Sequence, residues 1–132
     1  MKPRLNRMVL LALLCAAALP VIAGAAEVKT LLAKDLGGIT GKEGMVLTVE
    51  YAPGESSASH RHNANTFVYV LEGSVVMQVK GGPEVTLHRG QTFYESPDDI
   101  HAVSRNASKT ERAKILVFFV KDKGAPTTVP AQ

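Results

Sequence analysis

The sequence predicts an all-β domain, a barrel or sandwich built from short antiparallel strands. Three observations carry this expectation. Apolar residues alternate with a period of two, and no stretch shows helical periodicity. The alternating runs are short, as strands are, and each is closed by a cluster of Gly, Pro, Asn or Asp. Turn signals at such regular spacing belong to sandwiches and barrels.

The first expected strand starts at Met45, with Met45, Leu47, Val49 and Tyr51 on one side and Val46, Thr48 and Glu50 on the other. Ala52-Pro53-Gly54 ends it, and a polar loop runs to Ser59. Thr66 to Leu71 is a second strand, apolar on both faces, closed by Glu72-Gly73. Ser74 to Lys80 is a third, with Val75, Met77 and Val79 aligned, and Gly81-Gly82-Pro83 turns it. Glu84 to His88 and Gln91 to Glu95 follow, separated by Arg89-Gly90. The turn Ser96-Pro97-Asp98-Asp99 leads into Ile100 to Arg105, and Ala113 to Lys121 completes the series. Strands apolar on both faces must be covered on both. The segment Val28 to Leu32 is expected to cover one such face and a second subunit another, which predicts a homodimer. The Gly/Pro/Thr-rich residues 123–132 are expected to form an extended tail.

Residues 1–25 read as a secretory signal peptide. Lys2, Arg4 and Arg7 precede an apolar run from Met8 to Ile22, and Ala23 and Ala25 occupy an A-x-A site with cleavage before Ala26. Pro20 interrupts the run, which is short for a span of about 20 residues. The expected location is periplasmic or extracellular, with no membrane attachment after cleavage. Removing those three cations from 15 Lys and Arg leaves as many as the 12 Asp and Glu. The remaining single domain, residues 26–132, is therefore formally neutral, and charge gives no case for nucleic acid. The only cysteine, Cys15, leaves with the signal, so any metal must be held by nitrogen and oxygen.

The chemistry concentrates in Ser59 to Ser74. His60 and His62 are two residues apart, so in an extended chain both imidazoles point the same way and can meet one metal at about 2.0–2.2 Å. His101, at the start of a later strand, can complete a three-imidazole site with open positions for water or a ligand. His88, before Arg89-Gly90, is expected at the surface, and Asp98 and Asp99 are expected to make a turn. Arg61, between the two histidines, is expected to point away from them. Asn106-Ala107-Ser108 fits a glycosylation acceptor in a eukaryotic secretory pathway.

With Gly54, His60, His62, Thr66 and Gly73 at their spacings, the segment resembles the first cupin motif, and Gly90, Pro97, His101 and Asn106 resemble the second. The resemblance covers about Met45 to Val120 and is of the small quercetin-dioxygenase-like type. It implies a double-stranded β-helix, the jelly-roll barrel, with a divalent metal inside its mouth. Asp99 stands where the second motif usually has glycine. Thr66 stands where the first motif supplies a glutamate ligand, so the site is expected to be three-His without a carboxylate. That donor set favours Fe, Zn, Ni or Cu over Mn or Mg and an anionic or chelating small-molecule ligand. Asn63, Asn65, Thr66 and Tyr94 are candidate accessory residues, and Glu95 is the candidate substitute carboxylate. No organic cofactor is expected and no catalytic residue is assigned. A metal-dependent dioxygenase, a non-catalytic ligand- or metal-binding cupin and a degenerate metal-free barrel all remain open.

Overall fold

The computed structural model describes residues 25–131. The signal-peptide reading falls on residues 1–25 and, apart from Ala25, lies outside them. Eleven strands form among the described residues, and no helix. They make two sheets whose pairings are all antiparallel. In one, β1 (Glu27–Asp35), β2 (Lys42–Tyr51), β10 (Ala113–Asp122), β5 (Asn65–Glu72) and β8 (Thr92–Glu95) lie side by side in that order. In the other, the order is β11 (Val129–Pro130), β4 (His60–Arg61), β9 (His101–Asn106), β6 (Ser74–Val79) and β7 (Val85–His88), with β3 (Ser56–Ser57) also paired to β9. This is the expected jelly-roll arrangement: chain neighbours such as β4 and β5 lie in different sheets, so the polypeptide repeatedly crosses between the two layers.

The two strands that read as apolar on both faces, β5 and β10, are adjacent in the middle of the first sheet. Their inward residues Val68, Val70, Ile115, Val117 and Phe119 meet Val75 and Met77 of β6 to form the core. Period-two alternation is what selects these faces. On the outer side, Phe67 and Tyr69 of β5, Tyr94 of β8 and Phe118 of β10 form an exposed apolar groove. At the far end of β10, Lys121 is buried, and its ammonium is paired with Glu43 and donates to the Ala125 carbonyl at 2.6 Å. Burying such a cation is tolerable because it is both paired and hydrogen-bonded.

Two expectations are corrected. The segment Val28 to Leu32 does not lie across a strand face: it belongs to β1, an edge strand exposed along its whole length that extends the sheet beside β2, and only Val28 of the segment reaches the cavity lining. Asn106 is not presented for glycosylation. Its amide is buried, donates to the carbonyls of Ala52 and Glu111 at 3.0 and 2.8 Å, and accepts from the Ser108 amide at 2.8 Å. A side chain so enclosed fixes the loop between β9 and β10.

The tail is extended and docked. Beyond the turn at Lys123 and Gly124 it returns across the cavity mouth as a strap, where Val129 pairs with Arg61 and Pro130 with His60.

Candidate metal centre

The barrel holds a cavity of about 500 Å³, partly open to solvent, whose walls are mainly apolar, from Leu47, Val68, Ile115, Val117 and Phe119. Its polar groups gather at one end. β4 carries His60, and His62 follows it in the turn before β5. β4 pairs with β9 through His60 and His101, which brings the third imidazole alongside the first pair. One nitrogen from each of the three rings lies within 4.8 Å of one nitrogen from each of the others.

The hydrogen bonds of the first pair decide where their lone pairs point. His60 Nδ1 lies 2.7 Å from the Ala58 carbonyl and His62 Nδ1 lies 2.6 Å from the Thr127 carbonyl. A carbonyl only accepts, so each Nδ1 carries the hydrogen and each neutral ring keeps its Nε2 lone pair free. Those two Nε2 atoms face each other at 3.2 Å. Two lone pairs so placed repel unless a cation lies between them. Bonds of about 2.1 Å to one octahedral ion put neighbouring donors about 3.0 Å apart and opposite donors about 4.2 Å apart. The observed separation suits neighbouring positions, so the residues present fit a divalent ion.

Burial tunes the site in the same direction. It lowers His62 to about 4, with the Thr127 carbonyl opposing and His60 adding to the shift. It lowers His101 to about 3, reinforced by His60 and His62. Both rings are therefore neutral near pH 7, the state a metal requires. Neither ring nitrogen of His101 has a hydrogen-bond partner among the described residues.

The donors that lie together are the three expected histidines, and one carboxyl stands beside them. Thr66 is fully buried, its hydroxyl donates to the Ala64 carbonyl at 3.3 Å, and it offers a metal only a neutral oxygen. Opposite it in the ladder stands Glu95, whose side chain points inward. Glu95 Oε1 lies 3.2 Å from His101 Nδ1, and Oε2 lies 3.8 Å from His62 Nε2. Burial, followed by the negative charge of Asp99, raises this carboxyl to about 8. With the acid protonated and the rings neutral, these contacts are not ion pairs near pH 7.

The other accessory candidates are not brought to the cavity. Tyr94 is exposed and donates from its hydroxyl to Asn65 Oδ1 at 2.7 Å, so the two occupy each other on the outer face. Asn63 is exposed and takes a φ of 49°, the left-handed conformation asparagine tolerates, in the turn between β4 and β5. His88 is at the surface, where it pairs with Ser74. Asp99 makes the expected turn, accepting from the Ser96 amide at 2.7 Å.

Three features escaped the sequence reading. Tyr51 and Ser104 lie in the cavity, with their hydroxyl oxygens 2.7 Å apart. Tyr51 shares the parity of Leu47 and Val49, a signal that could have found it. The contact of Thr127 with His62 had no sequence signal.

The family profile of the cupin domain matches residues 47–119. No curated protein matches the chain in sequence. Several solved structures share the architecture. An uncharacterised conserved protein with a double-stranded β-helix domain from Klebsiella pneumoniae has a TM-score of 0.63 at 22% identity, covering 83% of this chain and 86% of that one. A DMSP lyase from Ruegeria pomeroyi has a TM-score of 0.66 at 18% identity, covering 81% of this chain and 52% of that one. A recombinant oxalate oxidase in complex with glycolate has a TM-score of 0.62 at 24% identity, covering 80% and 55%. This chain thus spans about half the length of the lyase and the oxidase.

Proposed function

The chain belongs to the cupin family, and from that premise we propose that it is a metal-dependent cupin in which His60, His62 and His101 hold a divalent ion facing a small anionic or chelating ligand. The observation that carries this reading is the convergence of the His60 and His62 lone pairs, 3.2 Å apart, beside the buried His101. A bound ion would supply Lewis acidity and open coordination positions. The protein's own share is to hold the rings in the required tautomers, through Ala58 and Thr127, and to set them against a mainly apolar wall. A cavity of about 500 Å³ suits a small molecule. The oxalate oxidase relative holds glycolate, a small chelating anion, on the same architecture. Dioxygenase-type oxidation of such a ligand is the enzymatic form of the proposal.

Two further parts belong to this reading. Residues 1–25 direct export to the periplasm or beyond, which cell fractionation tests. A second copy of the chain covers the outer groove of Phe67, Tyr69 and Phe118 and makes a homodimer.

The test of the site is metal content followed by ligand titration. Protein purified with one equivalent of divalent metal should bind oxalate or glycolate in calorimetry, and the stripped protein should not. His60→Ala and His101→Ala should each abolish metal uptake and leave the circular dichroism of a β-protein intact. Full metal content in both folded variants would remove the proposal. Oxygen uptake with the bound acid separates turnover from holding.

A further inference from the structure

The site lacks the motif glutamate, and yet a carboxylate is present. We propose that Glu95 is the anionic metal ligand of this centre, reaching it from β8 in place of the β5 position that Thr66 occupies. The inference rests on the reading that the three histidines hold a metal.

Four observations support it. Thr66 and Glu95 are cross-strand partners, so their side chains leave the sheet on the same face and at the same level. A carboxylate moved from one to the other crosses a single strand spacing of about 4.8 Å. Both residues are buried, at 0% and 1% exposure, and both line the cavity that holds the histidines. Glu95 Oε1 is 3.2 Å from His101 Nδ1 and Oε2 is 3.8 Å from His62 Nε2. These two separations fall between the neighbouring and opposite donor spacings of about 3.0 and 4.2 Å around one ion; the atoms already within 4.8 Å of one another are those of the three histidines, so a side-chain rotation is needed to bring Glu95 fully into the set. Finally, both carboxyl oxygens are buried with no hydrogen-bond partner among the described residues. A buried carboxylate without partners is costly unless a cation meets it. The neighbouring acid, Asp99, is engaged with the Ser96 amide.

The assignment changes the chemical class of metal. Three neutral imidazoles leave a divalent ion its full charge, whereas one carboxylate cancels half of it and adds a hard oxygen donor. The centre then suits Mn²⁺ and Fe²⁺ as well as the imidazole-preferring ions.

The experiment measures Mn²⁺ and Zn²⁺ affinity of the stripped full-length domain by competition titration, with the Mn²⁺ electron paramagnetic resonance spectrum as a second readout. The proteins are the parent, Glu95→Gln, the double variant Glu95→Gln with Thr66→Glu, and His101→Ala. Glutamine retains the shape and a neutral oxygen at the same place, so a merely space-filling role would survive it. A lost ligand should weaken Mn²⁺ by about 100-fold or more, beyond what second-sphere changes cost, and should weaken Zn²⁺ less. Returning the carboxylate from position 66 should restore Mn²⁺ binding and the parent spectrum. If Glu95→Gln binds Mn²⁺ like the parent while His101→Ala does not, the Glu95 assignment fails and the histidine site stands. The assignment also fails if Glu95→Gln weakens both ions equally and the double variant, folded by circular dichroism, restores neither. If neither ion binds the parent, or both bind His101→Ala as tightly, the underlying three-histidine reading is what fails.

Discussion

Ending the chain at Pro126 should weaken metal binding without unfolding the barrel. The truncation removes Thr127, whose carbonyl holds His62 Nδ1 at 2.6 Å, and the two β11 residues that pair with Arg61 and His60. It keeps Ala125, whose carbonyl accepts from the buried Lys121. Without the Thr127 carbonyl, His62 can rotate or adopt the other tautomer, and its Nε2 lone pair is no longer held toward His60. Losing an orienting partner of this kind costs about 10–100-fold in metal affinity, which is about 1.4–2.7 kcal/mol. The global cost is smaller. Val129 is half-buried, Pro130 is exposed and has no amide to donate, so one or two hydrogen bonds are lost at about 1 kcal/mol each. For a domain of this size each kcal/mol shifts Tm by about 4–8 °C. The assay is Zn²⁺ competition against a chromophoric chelator, with thermal unfolding of the stripped protein alongside. Thr127→Ala is the control: the contact uses the backbone, so removing the side chain should leave affinity within about threefold of the parent. Parent-like affinity in the folded truncation would refute the orienting role, and a large loss in Thr127→Ala would show that the carbonyl is not what holds the ring.

The remaining predictions address pH, backbone, loop and assembly. In the stripped protein, His62 and His101 fall from 6.5 to about 4 and about 3 on folding, so below pH 6.5 the unfolded chain takes up protons that the native state refuses, and stability is lost as pH falls toward 4 and 3. Glu95 rises from 4.5 to about 8, so its contribution declines as pH rises from 4.5 through 8. Two groups outweigh one below 6.5 and only Glu95 acts above it, so Tm of the stripped protein should peak near pH 6.5, and a flat profile from 4 to 8 would contradict the burial of these groups. Gly73→Ala should destabilise by about 2 kcal/mol or more in urea unfolding, since its φ is 67° and an added Cβ would run into the Arg112 carbonyl. Asn106→Ala should cost about 2–4 kcal/mol in the same assay, because it strips partners from the Ala52 and Glu111 carbonyls. Light scattering should find dimers at micromolar concentration and monomers for Phe67→Lys, and a monomeric parent would discard the proposed cover of the outer groove.

How much of this was legible in the sequence depended on the range over which each feature is decided. The strands β2, β5, β6 and β10 were legible because period-two alternation is a property of neighbouring residues: Val68 and Val70 against Phe67 and Tyr69 announce an inner and an outer face whatever lies across from them. Two-residue strands such as β3, β4 and β11 contain no period, and β1, exposed throughout, has no face for a pattern to mark. The site divides along the same line. His60 and His62 are set by two residues of chain, and their convergence was readable; His101 required the β4–β9 pairing, which the family motifs implied and spacing alone did not. Glu95 and Tyr94 are adjacent in sequence, and both were candidates. Which of them enters the cavity is fixed by the register in which Thr66 meets Glu95, and a slip of one residue would have exchanged them. The Thr127 carbonyl lies further out of reach, because a backbone oxygen 65 residues from His62 has no residue type to betray it. The buried Glu95 carboxyl and the Thr127 carbonyl that flank the three histidines are therefore written in strand register and in the path of the tail. A change that shifts β8 against β5 by one residue should remove the inward carboxylate with every metal-binding residue still in the sequence.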